Sequence, residues 1–331
     1  MNLATHAGLI AGTSVLAIAS TGTAGDLDSV IDGIINDSAT ISGDDHFSMS
    51  GIFAYGFTHN DDDSYEGEDT SGHLTFEGHS GGWNWMFNYV VGENGYYDAN
   101  GDDAFRDYAV WQEMDNGLSF GFGNVKGIFL KANSVAEANT LQLNNTATGG
   151  ALEGRGEQIG VKYEADQFRV MARLYDGADD FSMDARVEFL AMGSWDDCNC
   201  FGSMAGSEST LVLGFSNSDE DNFDGTSFDV TYKMDAWAFH AAMTDVENAD
   251  INEDGTAGDV WESLTIQASY FFADDTMAYI SYEDVDTTGE DDLDVGVNHW
   301  YSDSCKGTLE IDFEDGDDDE MTIGGQIQFT F

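Results

Sequence analysis

The sequence predicts an all-β fold, a transmembrane antiparallel β-barrel of about sixteen strands with an inward-folded third external loop. Three observations carry that expectation. From Phe47 onward, large apolar residues alternate with polar ones at a period of two, the signature of strands with two unlike faces. The connections alternate between short turns and longer acidic loops, as the two rims of an outer-membrane barrel do. The 331 residues include 39 glycines, 13% aromatics and no proline. Proline removes a backbone donor, so a sheet in which every strand has two neighbours has few places for it.

Residues 1–24 read as a secretory signal, with an apolar stretch from Leu9 to Ala19 and the small residues Gly22, Thr23 and Ala24 ahead of Gly25. The stretch is shorter than the roughly 20 residues a membrane-spanning helix needs. Residues 25–45 form a short periplasmic segment in which Leu27, Val30, Ile31 and Ile34 recur at helical spacing. The barrel occupies 46–331.

Its strands follow in order. Phe47, Met49, Phe53, Tyr55 and Phe57 share one face, then Trp83, Trp85, Phe87 and Tyr89, then Leu118, Phe120 and Phe122. Ile159, Val161 and Tyr163 come next, followed by Phe168, Val170 and Leu174, by Phe181, Met183, Val187 and Phe189, and by Leu211, Leu213 and Phe215. The rest are marked by Phe228, Val230 and Tyr232, by Trp237, Phe239 and Met243, by Leu264, Ile266 and Tyr270, by Leu293, Val295 and Val297, by Leu309, Ile311 and Phe313, and by Ile323, Ile327, Phe329 and Phe331. Weaker runs at 73–79, 105–113 and 276–285 complete the set, each close to the length of a tilted spanning strand.

Short connections fall at 80–82, 115–117, 165–166, 235, 273–275 and 303–306, and longer ones at 61–69, 93–103, 127–155, 218–225, 246–259, 284–292 and 314–319. An even strand number puts both chain ends on the same side. A soluble sandwich would alternate as well, but it does not account for aromatics crowded at strand ends, where a bilayer has its interfaces.

The formal charge of −54, from 64 acids against 10 bases, repels phosphates and excludes a nucleic-acid partner. Asp98, Asn100 and Asp102, and again Asp250, Asn252 and Asp254, have the opening spacing of a calcium loop. The bidentate acid is missing from the twelfth position of the second loop, where Trp261 stands. Ca2+ in these external loops is thus one reading and a solvated acidic loop the other; no further cofactor is expected. Cys198, Cys200 and Cys305 in an exported chain suggest one disulfide, joining Cys305 to Cys198 or Cys200. No GxSxG elbow, HExxH or other catalytic set is present, so an enzyme is not expected.

Eight of the ten bases, Arg106, Lys126, Lys131, Arg155, Lys162, Arg169, Arg173 and Arg186, lie between positions 106 and 186. By strand phase Lys162, Arg169, Arg173 and Arg186 point away from the apolar set, and so do Asp229, Glu283, Asp294, Glu310 and Asp312 from later strands. One reading is a basic wall facing an acidic wall across a wet lumen, a field that orients dipolar solutes. The other is that the bases neutralise lumen acids such as Asp184 and Glu188.

The stretch GLSFGFGNVKGIFLKANSVAEANTLQL, followed by GRGEQIGVKYEADQFRVMARLYDG, resembles the phosphate-selective porins O and P. The likeness covers roughly 105–176 and rests on Gly123, Lys126, Arg155 and Gly156; Gly127 and Ile128 stand where that family has a proline. The resemblance implies a trimeric sixteen-stranded channel whose third external loop narrows the pore, with Lys126 and Arg155 beside it. The expectation is an outer-membrane homotrimer set in lipid that passes small hydrophilic solutes or ions. The alternative is a plugged surface barrel with calcium-binding or adhesive acidic loops.

Overall fold

A computed structural model describes residues 46–60, 65–90, 105–135, 140–143, 146, 148, 152, 154–176, 181–198, 200–204, 206–220, 223–247, 261–286, 290–315 and 320–331. The expected signal at 1–24, the segment 25–45 and the calcium-loop residues Asp98, Asn100, Asp102, Asp250, Asn252 and Asp254 lie outside these.

The strands are β1 His46–Asn60, β2 Tyr65–Ser80, β3 Trp83–Val90, β4 Phe105–Glu113, β5 Leu118–Val125, β6 Gly156–Glu164, β7 Phe168–Asp176 and β8 Phe181–Met192. They continue as β9 Thr210–Glu220, β10 Phe223–Met234, β11 Trp237–Glu247, β12 Trp261–Ala273, β13 Thr276–Val285, β14 Glu290–Ser302, β15 Cys305–Asp315 and β16 Glu320–Thr330. Each pairs antiparallel with its chain neighbours, and β1 closes on β16 with Phe53 opposite Phe329. The seam is also tied by Phe331, which exchanges backbone hydrogen bonds with Gly51 at 3.0 and 3.2 Å. Its ring lies where a side chain at 51 would stand, so glycine there is a requirement of close approach. Closure leaves no open edge, the condition for a sheet in hydrocarbon.

The barrel is inside-out relative to a soluble core, and β8 shows why the sequence builds it. Phe181, Met183 and Val187 are 81%, 44% and 43% exposed on the outside, while Ser182, Asp184, Arg186 and Glu188 are at most 1% exposed on the inside. The same exposed apolar phase holds in Phe120 and Phe122, Ile159 and Val161, Phe228, Phe239 and Met243, Val295 and Val297, and Leu309 and Phe313. Such a belt suits acyl chains, whereas water would leave all of it unfavourably solvated.

The described strands run further than hydropathy indicates at several loops. β9 reaches Glu220 and β10 begins at Phe223, inside the expected loop 218–225, and β13 and β14 likewise extend into 284–292. Backbone pairing continues past the apolar belt into water, where acidic side chains no longer oppose a strand. The short-and-long rule fails on both rims, since β9 and β10 are joined by residues 221–222 alone on the rim of the longer loops. On the rim that holds Phe331, the connections at 81–82, 114–117, 165–167, 235–236, 274–275 and 303–304 are tight, but the one between β8 and β9 spans 193–209.

Candidate functional site

The alternate positions of β6–β8 place Lys162, Arg169, Arg173 and Arg186 on the inner face, and each of these finds a carboxylate nearby. Arg173 on β7 bonds Asp184 of β8 at 2.5 Å, donates to Gly154 O at 2.7 Å and stacks on the Tyr175 ring. Arg186 on β8 pairs with Glu188 at 3.0 Å and, two strands away, with Asp229 at 2.6 Å. Gly214 of β9 lies between them; a side chain there would occupy the space where the guanidinium meets the carboxylate. Arg169 bridges Glu164 at 2.9 Å and Glu188 at 3.2 Å, with its guanidinium over the Trp195 ring. Lys162 pairs with Glu164 at 3.5 Å near the rim, and Arg155 with Asp107 at 2.8 Å. Lys126 is half-buried just after β5.

Asp229 therefore belongs with the bases and is not part of a facing acidic wall. The physical reason is register, which brings β10 within reach of Arg186 across a glycine. Glu283, Asp294, Glu310 and Asp312 do lie apart, on β13–β15, and β15 is eight strands from β7 in either direction around the barrel. No described ion pair involves these four. The carboxylates of Asp292, Asp294 and Asp312 come within 4.8 Å of one another, a spacing compatible with a cation.

The segment between β5 and β6 bonds to both of these regions. On one side Phe129 O accepts from Arg186 at 3.3 Å and Ser216 at 2.5 Å, and Lys131 pairs with Glu188 at 3.5 Å. On the other, the Leu143 amide donates to Glu310 at 3.2 Å, the Thr148 amide to Glu283 at 3.3 Å and Gln142 to Asp294. Asn298 holds Leu141 O at 2.9 Å. Burial pushes the Lys131 ammonium below its ordinary value, with the Glu188 charge acting in the opposite sense.

Sequence reasoning missed the connection 193–209. Phe201 is 7% exposed, meets the His240 ring at 4.6 Å, and packs with Val135 and Leu141 of the first segment and with Phe271, Met277 and Tyr279 of β12 and β13. Ser269 donates to Phe201 O at 3.2 Å, Ser203 to Asp235 O at 2.6 Å, and Lys233 to Asp197 O. A signal was present. Phe271 and Met277 break the polar inner phase of their strands near the rim, and an apolar inner patch needs a cover.

The expected disulfide is absent, since all three thiols are free. Cys198 is packed with Leu190 and Val212, and its thiol bonds Ser194 O at 3.4 Å. Cys200 accepts from Lys233 at 3.1 Å. Cys305 opens β15, six strands on from β9, so the barrel mouth separates it from the other two.

No protein-family model matches this chain, and no curated protein does. Solved structures do. A triple mutant of Rhodopseudomonas blastica porin is 17% identical with a TM-score of 0.56, over 86% of this chain and all of that one. A loop L8 deletion mutant of OmpT, an outer membrane protein of Vibrio cholerae, is 13% identical with a TM-score of 0.61, over 87% of this chain and all of that one. A chain described under asymmetric conductivity of engineered proteins is 17% identical with a TM-score of 0.57, over 86% of this chain and all of its own. At these identities the likeness speaks to architecture, and on it, with the closed sixteen-strand sheet, the chain has the fold of a porin-type barrel.

Proposed function

We propose that the chain is an outer-membrane channel of porin type, exported and set in lipid, through which small hydrophilic solutes diffuse passively without cofactor or catalysis. One observation carries the reading, the closed sheet with an exposed apolar belt outside and charged and hydroxyl side chains inside. Segment 127–153, bonded to inner-face residues of β8, β9 and β13–β15, is the constriction. Homotrimeric assembly belongs to the same reading, and an unheated detergent gel that shows only a monomer would remove it.

Within the channel, Arg155, Lys162, Arg169, Arg173 and Arg186 are compensated by adjacent acids. Glu283, Asp294, Glu310 and Asp312 take part in no described ion pair. The lumen therefore favours cations, and the phosphate preference of the O and P porins does not carry over. The test is conductance of the refolded protein in a planar bilayer, with the reversal potential taken across a salt gradient. Steps of conductance with a cation-leaning potential are expected. Absence of conductance and of solute flux from folded protein would end the channel reading.

A further inference from the structure

Segment 127–153, Phe201 and the inner faces of β10–β12 enclose a space of about 590 Å³, counted with its open end. Its chemistry differs from that of the rest of the chain. Among the described residues no Asp or Glu lines it, although the chain has 64 acids. The polar lining is hydroxyl and carboxamide, chiefly Thr148, Thr244, Thr265, Gln142 and Gln267. Lys131 also lines it, but its charge is paired with Glu188 at 3.5 Å.

Gln267 points to a ligand. Its side chain is 4% exposed, and its amide nitrogen donates to Gln142 at 2.9 Å and to Ser281 at 3.3 Å, while its Oε1 has no partner. A buried acceptor left unpaired is costly, and a solute O–H or N–H is the group that satisfies it. The floor is apolar, formed by Phe201 against Leu141 and Val135. An apolar ring below hydrogen-bonding walls suits a solute with carbon on one side and hydroxyls on the other. The enclosed part has room for about three water-sized groups at roughly 10–15 Å³ each.

We infer that this waist is a selective subsite for small uncharged hydroxyl-bearing solutes, short polyols, with Gln267 as the recognising acceptor and Phe201 as the residue that sets the size limit. The inference rests on the channel reading and adds a substrate class to it. A carboxylate entering the waist loses hydration with no uncompensated cation to meet it, whereas a polyol exchanges water for the hydroxyl and carboxamide wall.

Proteoliposome flux of glycerol and glycerate, which share a three-carbon skeleton, tests it alongside sorbitol as a larger polyol. The wild-type channel should pass glycerol at least about tenfold faster than glycerate and exclude sorbitol, the tenfold being what 1.4 kcal/mol of discrimination gives. Gln267→Leu should lower the glycerol-to-glycerate ratio, and Phe201→Ala should admit sorbitol. Equal wild-type flux of glycerol and glycerate in a channel that conducts ions overturns the subsite and leaves the channel standing. No flux of any solute together with no conductance overturns the channel itself. Because the wild-type comparison decides the matter, a variant that fails to fold does not shelter the inference.

Discussion

Replacing Arg186 by Met removes the centre of the inner ionic knot, and the geometry sets the cost. Glu188 keeps two cations after the change, Lys131 at 3.5 Å and Arg169 at 3.2 Å. Asp229 has no other described ion pair, and its Oδ1 already has no hydrogen-bond partner. One buried carboxylate is thus left uncompensated, which costs about 3–5 kcal/mol. The lost bond to Phe129 O adds about 0.5–1.5 kcal/mol and loosens one anchor of segment 127–153. Urea unfolding in phospholipid vesicles, read by the mobility shift between folded and unfolded barrel on an unheated gel, measures the difference. Adding Asp229→Asn removes the orphaned charge, so the double variant should recover more than half of the loss. A single-variant cost under about 1 kcal/mol, or a double variant no more stable than the single, would refute the account of Arg186 as a cation shared by two buried acids.

Three further outcomes are expected. Gly214→Ala should cost about 1–3 kcal/mol in the same assay, because a methyl group intrudes between Arg186 and Asp229, and an effect within error would show that the pair does not need the gap. Lys131 is held below 10.5 chiefly by burial, so between that lowered value and 10.5 the unfolded chain binds more protons and stability rises with pH; Lys131→Met should flatten that rise, and an unchanged slope would contradict it. Burial also pushes the Cys198 thiol up, and the side chain is 1% exposed, so maleimide should label Cys198 more slowly than Cys305 in folded protein and all three thiols after unfolding; fewer than three labelled thiols would restore a disulfide.

The strands were legible because an apolar outer face and a polar inner face force a strict alternation, which β8 displays in nearly every residue. The inward direction of Arg173, Arg186 and Glu283 followed from the same phase. Their partners did not, because pairing depends on register between strands distant in sequence. Arg186 and Asp229 are 43 positions apart, and what lets them meet is the lack of a side chain at Gly214, which looks in sequence like any other glycine. Loop edges were misplaced wherever strands continue beyond the apolar belt, since hydropathy reports the solvent and hydrogen bonding reports the strand. The disulfide failed for a topological reason, as Cys198 and Cys200 stand in the connection before β9 and Cys305 at the start of β15, six strands further round.

The connection 193–209 shows how a local rule and a global one combine. Taken alone, Trp195 and Phe201 are two aromatics in a turn. Taken alone, Phe271 and Met277 are two apolar residues in the wrong phase. Water in contact with such an inner patch costs about 25 cal/mol per Å² of apolar surface, so a wet lumen cannot be lined this way without a cover. Phe201 supplies the cover from the Phe331 rim, and Val135 and Leu141 supply it from segment 127–153. The two segments thus pack against each other as well as against the wall. Phe201 joins the two segments at one phenyl ring, so a substitution there should act on Val135 and Leu141 as well as on its own connection.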